Sequence, residues 1–327
     1  MNAPYSVRLI CQCLTCFFLV NLAFSAAVRL VLPLALRFAD RLRARNAAQL
    51  LFLLRILPAA TALFAVVALC IPSYLWFEPA AQAEQLTVFC LLMSLSGATL
   101  WTTGIHRVVA ALLHSADFLR RAERCSINSD AANGLLVIES PEPVLALAGL
   151  FRPKLLVSSA VLAELTREQL DVALHHEKAH SRSGDNLKRL LVSACPVGFP
   201  SSRGFAALER SLARYMEWAA DDEATGYDPL RSLCLADALV RVSKLSSEMK
   251  MERALPTAEL VSTLVANDCS LSARIDRLLN RPTEPEKIAY PAAAMVGAML
   301  LCAAAAACAV VPSSLSSIHT LLEKLLG

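Results

Sequence analysis

Along most of a globular chain, apolar residues recur every two or every three to four positions, marking the buried face of a strand or helix. Four stretches of this sequence keep no such period and stay apolar on all sides. They are about residues 9–28 (continuing through Leu36 if Arg29 snorkels), about 50–77, 86–105, and the alanine-rich 289–311. Each reaches the roughly 20 residues that a helix needs to cross a bilayer, so each is read as a transmembrane helix. Arg55 sits near one end of the second, Tyr74, Trp76 and Phe77 form an aromatic belt at the other, and Lys287 and Tyr290 lead into the fourth. The pattern divides the chain into a three-span membrane domain (1–114), a polar domain (115–287), a fourth span (288–312) and a short tail (313–327).

Inside the polar domain the periods return. Thr166 with Gln169 three residues on is a capping-box start, Leu170, Ala173 and Leu174 give an apolar stripe, and Gly184 stops that helix. A second helix, over 205–225, carries Phe205, Leu208, Leu212, Met216 and Ala219 on one face and ends at Gly226. Ahead of both, residues 134–158 read as two or three short strands with turns at Pro141, Pro143 and Gly149. Residues 155–158 are the candidate exposed edge on which an extended peptide would add as a further strand; a core strand is the equal alternative.

Composition and charge orient this arrangement. Of 327 residues 56% are hydrophobic and 18% charged, more apolar surface than one water-soluble core hides. Arg37, Arg41, Arg43 and Arg45 lie between the first two spans, residues 78–85 hold two glutamates and no Lys or Arg, and Arg107, Arg120, Arg121 and Arg124 follow the third. The polar domain is therefore expected in the cytosol, with the N-terminus and the tail outside. A cleaved signal peptide ending near residues 23–27 would need the reverse charge bias, because only Arg8 precedes the first apolar run. A net charge of +3, already explained by topology, implies no direct nucleic-acid partner. Seven cysteines (Cys11, Cys13, Cys16, Cys70, Cys90, Cys302 and Cys308) fall in spans as small hydrophobes, and Cys125, Cys195, Cys234 and Cys269 are expected reduced. Asn21 in span one and Ser94, Ser96, Thr99, Thr102 and Thr103 in span three are candidate helix–helix contacts.

The chemistry concentrates at residues 173–185, Ala-Leu-His-His-Glu-Lys-Ala-His-Ser-Arg-Ser-Gly-Asp. His176 and His180 are one helical turn apart, so both imidazoles reach one ion, and Glu177 turns toward the same cleft. In this His-Glu-x-x-His pattern two neutral imidazoles bind Zn2+ and the carboxylate takes a proton from water. A solvated polar helix face is the alternative, and a third ligand decides between them. Glu217 on the second helix supplies one, and Asp221 four residues on suits a ligand histidine's free N–H. Asp185 either does the same or anchors the loop, and Asp222 and Glu223 read as an ordinary acidic face. His175 caps or lines the cleft, His106 and His114 are interfacial, and His319 lies in the tail.

Three spans, Ser140-Pro-Glu-Pro-Val, Gly149-Leu-Phe-Arg-Pro-Lys-Leu-Leu-Val, His176-Glu-Lys-Ala-His180 with Arg182 and Asp185-Asn186, Glu217-x-x-Ala-Asp221, Ser-Ala-Arg274-Ile-Asp-Arg-Leu and a fourth span together resemble the BlaR/MecR family of integral-membrane zinc metallopeptidases, over about residues 1–312. The resemblance implies a mainly α polytopic protein of the bacterial inner membrane, with about four transmembrane helices and a cytosolic gluzincin-type α+β peptidase domain. It also implies His176, His180 and Glu217 as zinc ligands, Glu177 as base, and a signalling role in cutting a cytosolic DNA-binding repressor or the chain itself; the stimulus is expected through the spans, the 78–85 loop or a membrane sensor partner. Antibiotic-sensing members carry a penicillin-binding domain after the last span; about fifteen residues follow it here, so β-lactam acylation is not the expected input. Related HtpX and CAAX-protease types often steady the oxyanion with a histidine after the third ligand. None follows Glu217 on the cytosolic side, which leaves Arg231, Tyr215 or Tyr227. A non-catalytic transducer and a quality-control protease remain open as other readings.

Overall fold

A helix that is apolar all round finds no single inward face, and the long helices here accordingly leave much of their surface uncovered. The computed structural model describes residues 4–77, 87–130, 135–150, 153–197, 203–249, 261–263 and 271–280; the expected fourth span, the 78–85 loop, Cys269 and His319 lie outside them. The protein is mainly helical, with one small sheet. α1 (Tyr5–Ala39) packs against α2 (Ala44–Ala65) and α4 (Val88–Arg124), and α2 continues through a π-helical turn (Val66–Cys70) into α3 (Ile71–Phe77). Among the described residues these make three helices long and apolar enough to cross a membrane. Leu30, Leu34, Leu92, Leu95 and Leu113 are exposed on them, as lipid contact requires.

Close approach in this bundle depends on two glycines of α4. A Cβ on Gly97 would stand 2.4 Å from the Leu14 carbonyl oxygen of α1, and one on Gly104 2.8 Å from that of Ala194. The hydroxyls expected to bridge helices instead bond within α4: Ser94, Ser96, Thr99, Thr102 and Thr103 each donate to a carbonyl three or four residues back. A hydroxyl facing lipid has no water to meet, so its own helix satisfies it. Asn21 does reach out, donating at 3.2 Å to the Pro196 carbonyl beyond α7.

α4 runs without a break into a five-stranded sheet of order β1-β2-β4-β3-β5. β1 (Ser126–Asp130), β2 (Leu135–Ile138), β3 (Leu145–Ala148), β4 (Lys154–Ser158) and β5 (Val261–Thr263) pair antiparallel except for the parallel β2–β4 pair. The expected edge at 155–158 is thus an interior strand: Leu155 pairs with Leu135 of β2 on one side and Leu147 of β3 on the other. Both faces of the sheet are covered, which explains the unbroken apolar run of β4. Leu136, Ile138, Ala146 and Leu156 pack with Ala122 at the end of α4, while Leu145 and Val157 join Val172, Leu235 and Leu239 from α6 and α9.

The remaining helices are α5 (Ser159–Glu164), α6 (Arg167–Ser183), α7 (Asp185–Ala194), α8 (Arg203–Thr225), α9 (Pro229–Met249) and α10 (Leu271–Leu279). The apolar face of α8 does not enter the core around the sheet. Phe205, Leu208, Leu212 and Met216 pack on Val28, Leu32, Leu42, Ala47 and Leu51, where α1 turns into α2.

Candidate metal centre

α6 is anchored at both ends by the signals in its sequence. Gln169 N–H donates to Thr166 Oγ1 and Thr166 N–H to Gln169 Oε1, closing the capping box. At the other end Gly184 takes φ 65°, a left-handed conformation that costs glycine least, and α7 starts directly after it. The sharp junction brings Asp185 back onto His180.

His176 and His180 turn their Nε2 atoms to within 3.2 Å of each other, with the rings at 87°. Glu217 approaches from α8, its Oε2 3.5 Å from His176 Nε2 and its Oε1 3.6 Å from His180 Nε2. One ligand atom from each of the three residues lies within 4.8 Å of the others, so the triad can hold a metal ion. The opposite ring nitrogens face carboxylates. Asp185 Oδ2 is 2.7 Å from His180 Nδ1, and Asp221 Oδ1 is 3.0 Å from His176 Nδ1, off the line of an aligned hydrogen bond. Such carboxylates fix each imidazole with its Nε2 outward.

His176, Glu177 and His180 are fully buried and Glu217 is 1% exposed. Neither oxygen of Glu177 or of Glu217 makes a hydrogen bond among the described residues. Buried carboxylates left so are costly. Two imidazole nitrogens, the Glu217 carboxylate and that of Glu177 beside them make a donor set that fits a divalent cation.

Burial opposes charge on His180, but Glu217 and Asp185 outweigh it and push its pKa up to about 10; His176 is raised the same way by Asp221 and Glu217. Burial would raise Glu217 and Asp221, yet His180 and Arg274 hold Glu217 well below the carboxylate range, and Arg274 and His176 bring Asp221 to about 2. Asp185 is lowered against burial by His180 and Lys188. Glu177 has no such partner, and burial lifts it to about 7 against the pull of the two histidines.

The residue that sequence reasoning missed is Arg274 of α10, quoted above only as part of a motif. It is 2% exposed and meets Asp221 through Nε at 3.1 Å and Nη2 at 2.6 Å, while its Nη1 lies 3.1 Å from Glu217 Oε2. Arg277, one turn on, donates to Asp222 at 3.0 Å and stacks over Trp218. Asp222 is therefore a buried pairing residue rather than part of a solvated face; Glu223 does lie outward, paired with Arg182. Arginines three apart on α10 opposite adjacent aspartates on α8 are the signal that was available.

The candidates for steadying an oxyanion lie elsewhere. Tyr215 turns to the membrane hairpin and donates to Asp40 Oδ1, and Arg231 bonds the Ala224 carbonyl beside Asp171. Tyr227 occupies a left-handed turn after α8. His175 is half-exposed, its Nδ1 2.8 Å from the Asp171 carbonyl oxygen. No protein-family model matches the chain and no curated protein is significantly similar to it.

Proposed function

We propose that this protein is a membrane zinc endopeptidase that acts in signal transduction by cutting a cytosolic protein, either a DNA-binding repressor or the chain itself. The observation that carries the reading is the convergence of His176 Nε2, His180 Nε2 and the Glu217 carboxylate, backed by Asp221 and Asp185, with the unpartnered carboxyl of Glu177 beside them. His176, His180 and Glu217 would hold a zinc ion, which would supply Lewis acidity toward a peptide carbonyl and toward water. Glu177, one position from a ligand and free of any competing bond, takes the proton of the attacking water and returns it to the leaving amine. Asp185 and Asp221 keep the imidazoles oriented, and Arg274 keeps Asp221 and Glu217 in place.

Substrate geometry follows from the sheet. α6 packs against β3 and β5, and Asn186 donates to the carbonyls of Leu147 in β3 and of Gly149 just after it, at 3.4 and 2.9 Å. β5, a stretch of this same chain, pairs antiparallel with β3 and ends the sheet on that side. A strand added by β-augmentation would pair with β5 or take its place, which supports an extended segment as the substrate.

The test compares wild type with Glu177→Gln in cells, following fragments of the candidate repressor and of the protein together with the transcriptional response. The variant is expected to keep its metal and lose both fragments and response. A full response from Glu177→Gln contradicts the peptidase and leaves the non-catalytic transducer.

A further inference from the structure

Beside the metal centre lies a cavity of about 450 Å³ that the peptidase reading does not use, between α2, α4, α7 and α8. Its lining carries Arg55, Arg107, Lys188 and Arg189 against one carboxylate, Glu209. Arg55, 3% exposed, takes up that carboxylate with a 2.6 Å bond from Nε and spends its other nitrogens on the Cys195 and Val192 carbonyls. Lys188 bonds Asp185 at 2.8 Å and Arg189 lies 3.6 Å from Glu217, both carboxylates of the metal centre. Arg107 is exposed and has no ion pair among the described residues. The cavity thus holds an excess of positive charge.

Its depth identifies the ligand. The rings of Tyr5 and Tyr74 stack at 4.9 Å, which aligns the far ends of α1 and the α2–α3 rod. From Tyr74 back to Arg55 the chain runs 19 residues, about 28 Å of helix at 1.5 Å per residue. A bilayer's hydrocarbon core is about 30 Å thick, so in a bilayer spanned by these helices Arg55, and Arg107 in the same lining, would stand at the level of the lipid headgroups. On α7, next to Lys188 and Arg189, Leu187 and Leu191 point outward, 46% and 40% exposed, and Ile105 and Val109 flank Arg107 on α4 in the same way. A soluble anion has no use for exposed leucines; an acyl chain does.

We infer that this cavity binds the phosphate of an anionic phospholipid, its headgroup between Arg107, Lys188 and Arg189 and its acyl chains against Leu187 and Leu191. Because Lys188 and Arg189 also touch carboxylates of the metal centre, the lipid site adjoins that centre directly. The inference does not depend on peptidase activity.

Native mass spectrometry of the full-length protein in detergent, offered equal phosphatidylglycerol and phosphatidylcholine, tests it. Phosphatidylglycerol is expected to be retained preferentially, and Arg107→Glu to reduce that preference roughly fivefold or more, the effect of removing about 1 kcal/mol per cation at a membrane surface. Arg121→Glu, an exposed arginine of α4 outside the cavity that pairs with Asp117, serves as control and keeps the preference. Arg107 is exposed, so an unchanged unfolding temperature confirms that Arg107→Glu is folded. Equal retention of the two lipids, or unaltered preference in Arg107→Glu, overturns the proposal. Displacement of phosphatidylglycerol by excess inorganic phosphate assigns the site to a soluble anion, and displacement by an acidic peptide assigns it to a protein; either also overturns the lipid.

Discussion

A carboxylate shut away from water needs a proton, a cation or a donor, and Asp221 and Glu217 meet Arg274. Replacing that guanidinium by Met would take from two buried acids the cation they share, a change of the kind that costs up to about 3–5 kcal/mol. Arg274→Met is therefore expected to lower the stability of the chelator-treated protein by that order, and by clearly less once zinc is added, because zinc bound at the triad would neutralise Glu217. Unfolding of the variant and wild type with chelator and with zinc checks this; an equal loss in both conditions would show that Arg274 and the metal do not share the carboxylate. At this scale the sequence was readable where the signal is local. His176, Glu177 and His180 are fixed by helical spacing, and Asp185 by the glycine before it. Arg274 pairs across 53 residues of chain, and the only sign of it is the match between arginines three apart on α10 and adjacent aspartates on α8, which local spacing does not join.

α8 shows what an amphipathic pattern states and what it omits. The apolar face was evident from the positions of Phe205, Leu208, Leu212 and Met216, but a period says nothing of the partner, which is the α1–α2 hairpin. β4 was ambiguous for a related reason, since a short apolar run marks a strand covered on both faces without saying which strands flank it. Because α8 carries Glu217 about two and a half turns beyond Leu208, its seat on the hairpin also positions that carboxylate. Leu208→Ala, at a fully buried site, is expected to cost about 2–5 kcal/mol and to weaken metal retention. Leu235→Ala, equally buried in the core around the sheet, is expected to cost as much while retaining the metal better. Metal content after a common dialysis separates the two; equal losses would remove the hairpin from the positioning of Glu217.

In the molecule as a whole the membrane helices and the metal centre share one packing. Asn21 of α1 reaches Pro196, Tyr215 of α8 reaches Asp40 at the hairpin turn, and Gly104 of α4 lies against α7. The division at residue 115, drawn where polarity changes, passes through the last third of α4, which continues to Arg124 because a helix need not end where its apolar stretch does. Expressed alone, residues 115–287 would expose Phe205, Leu208, Leu212 and Met216 to water, and that fragment is expected to aggregate or bind hydrophobic dyes; a soluble, cooperatively folding fragment would contradict the shared packing. The reading as a whole depends on the metal, and elemental analysis of the purified full-length protein addresses it most directly. About one zinc per chain is expected in wild type and in Glu177→Gln, with most of it lost in His180→Ala and Glu217→Ala. A wild-type protein that takes up no zinc, or a Glu217→Ala variant that keeps a full complement, would contradict the site described here.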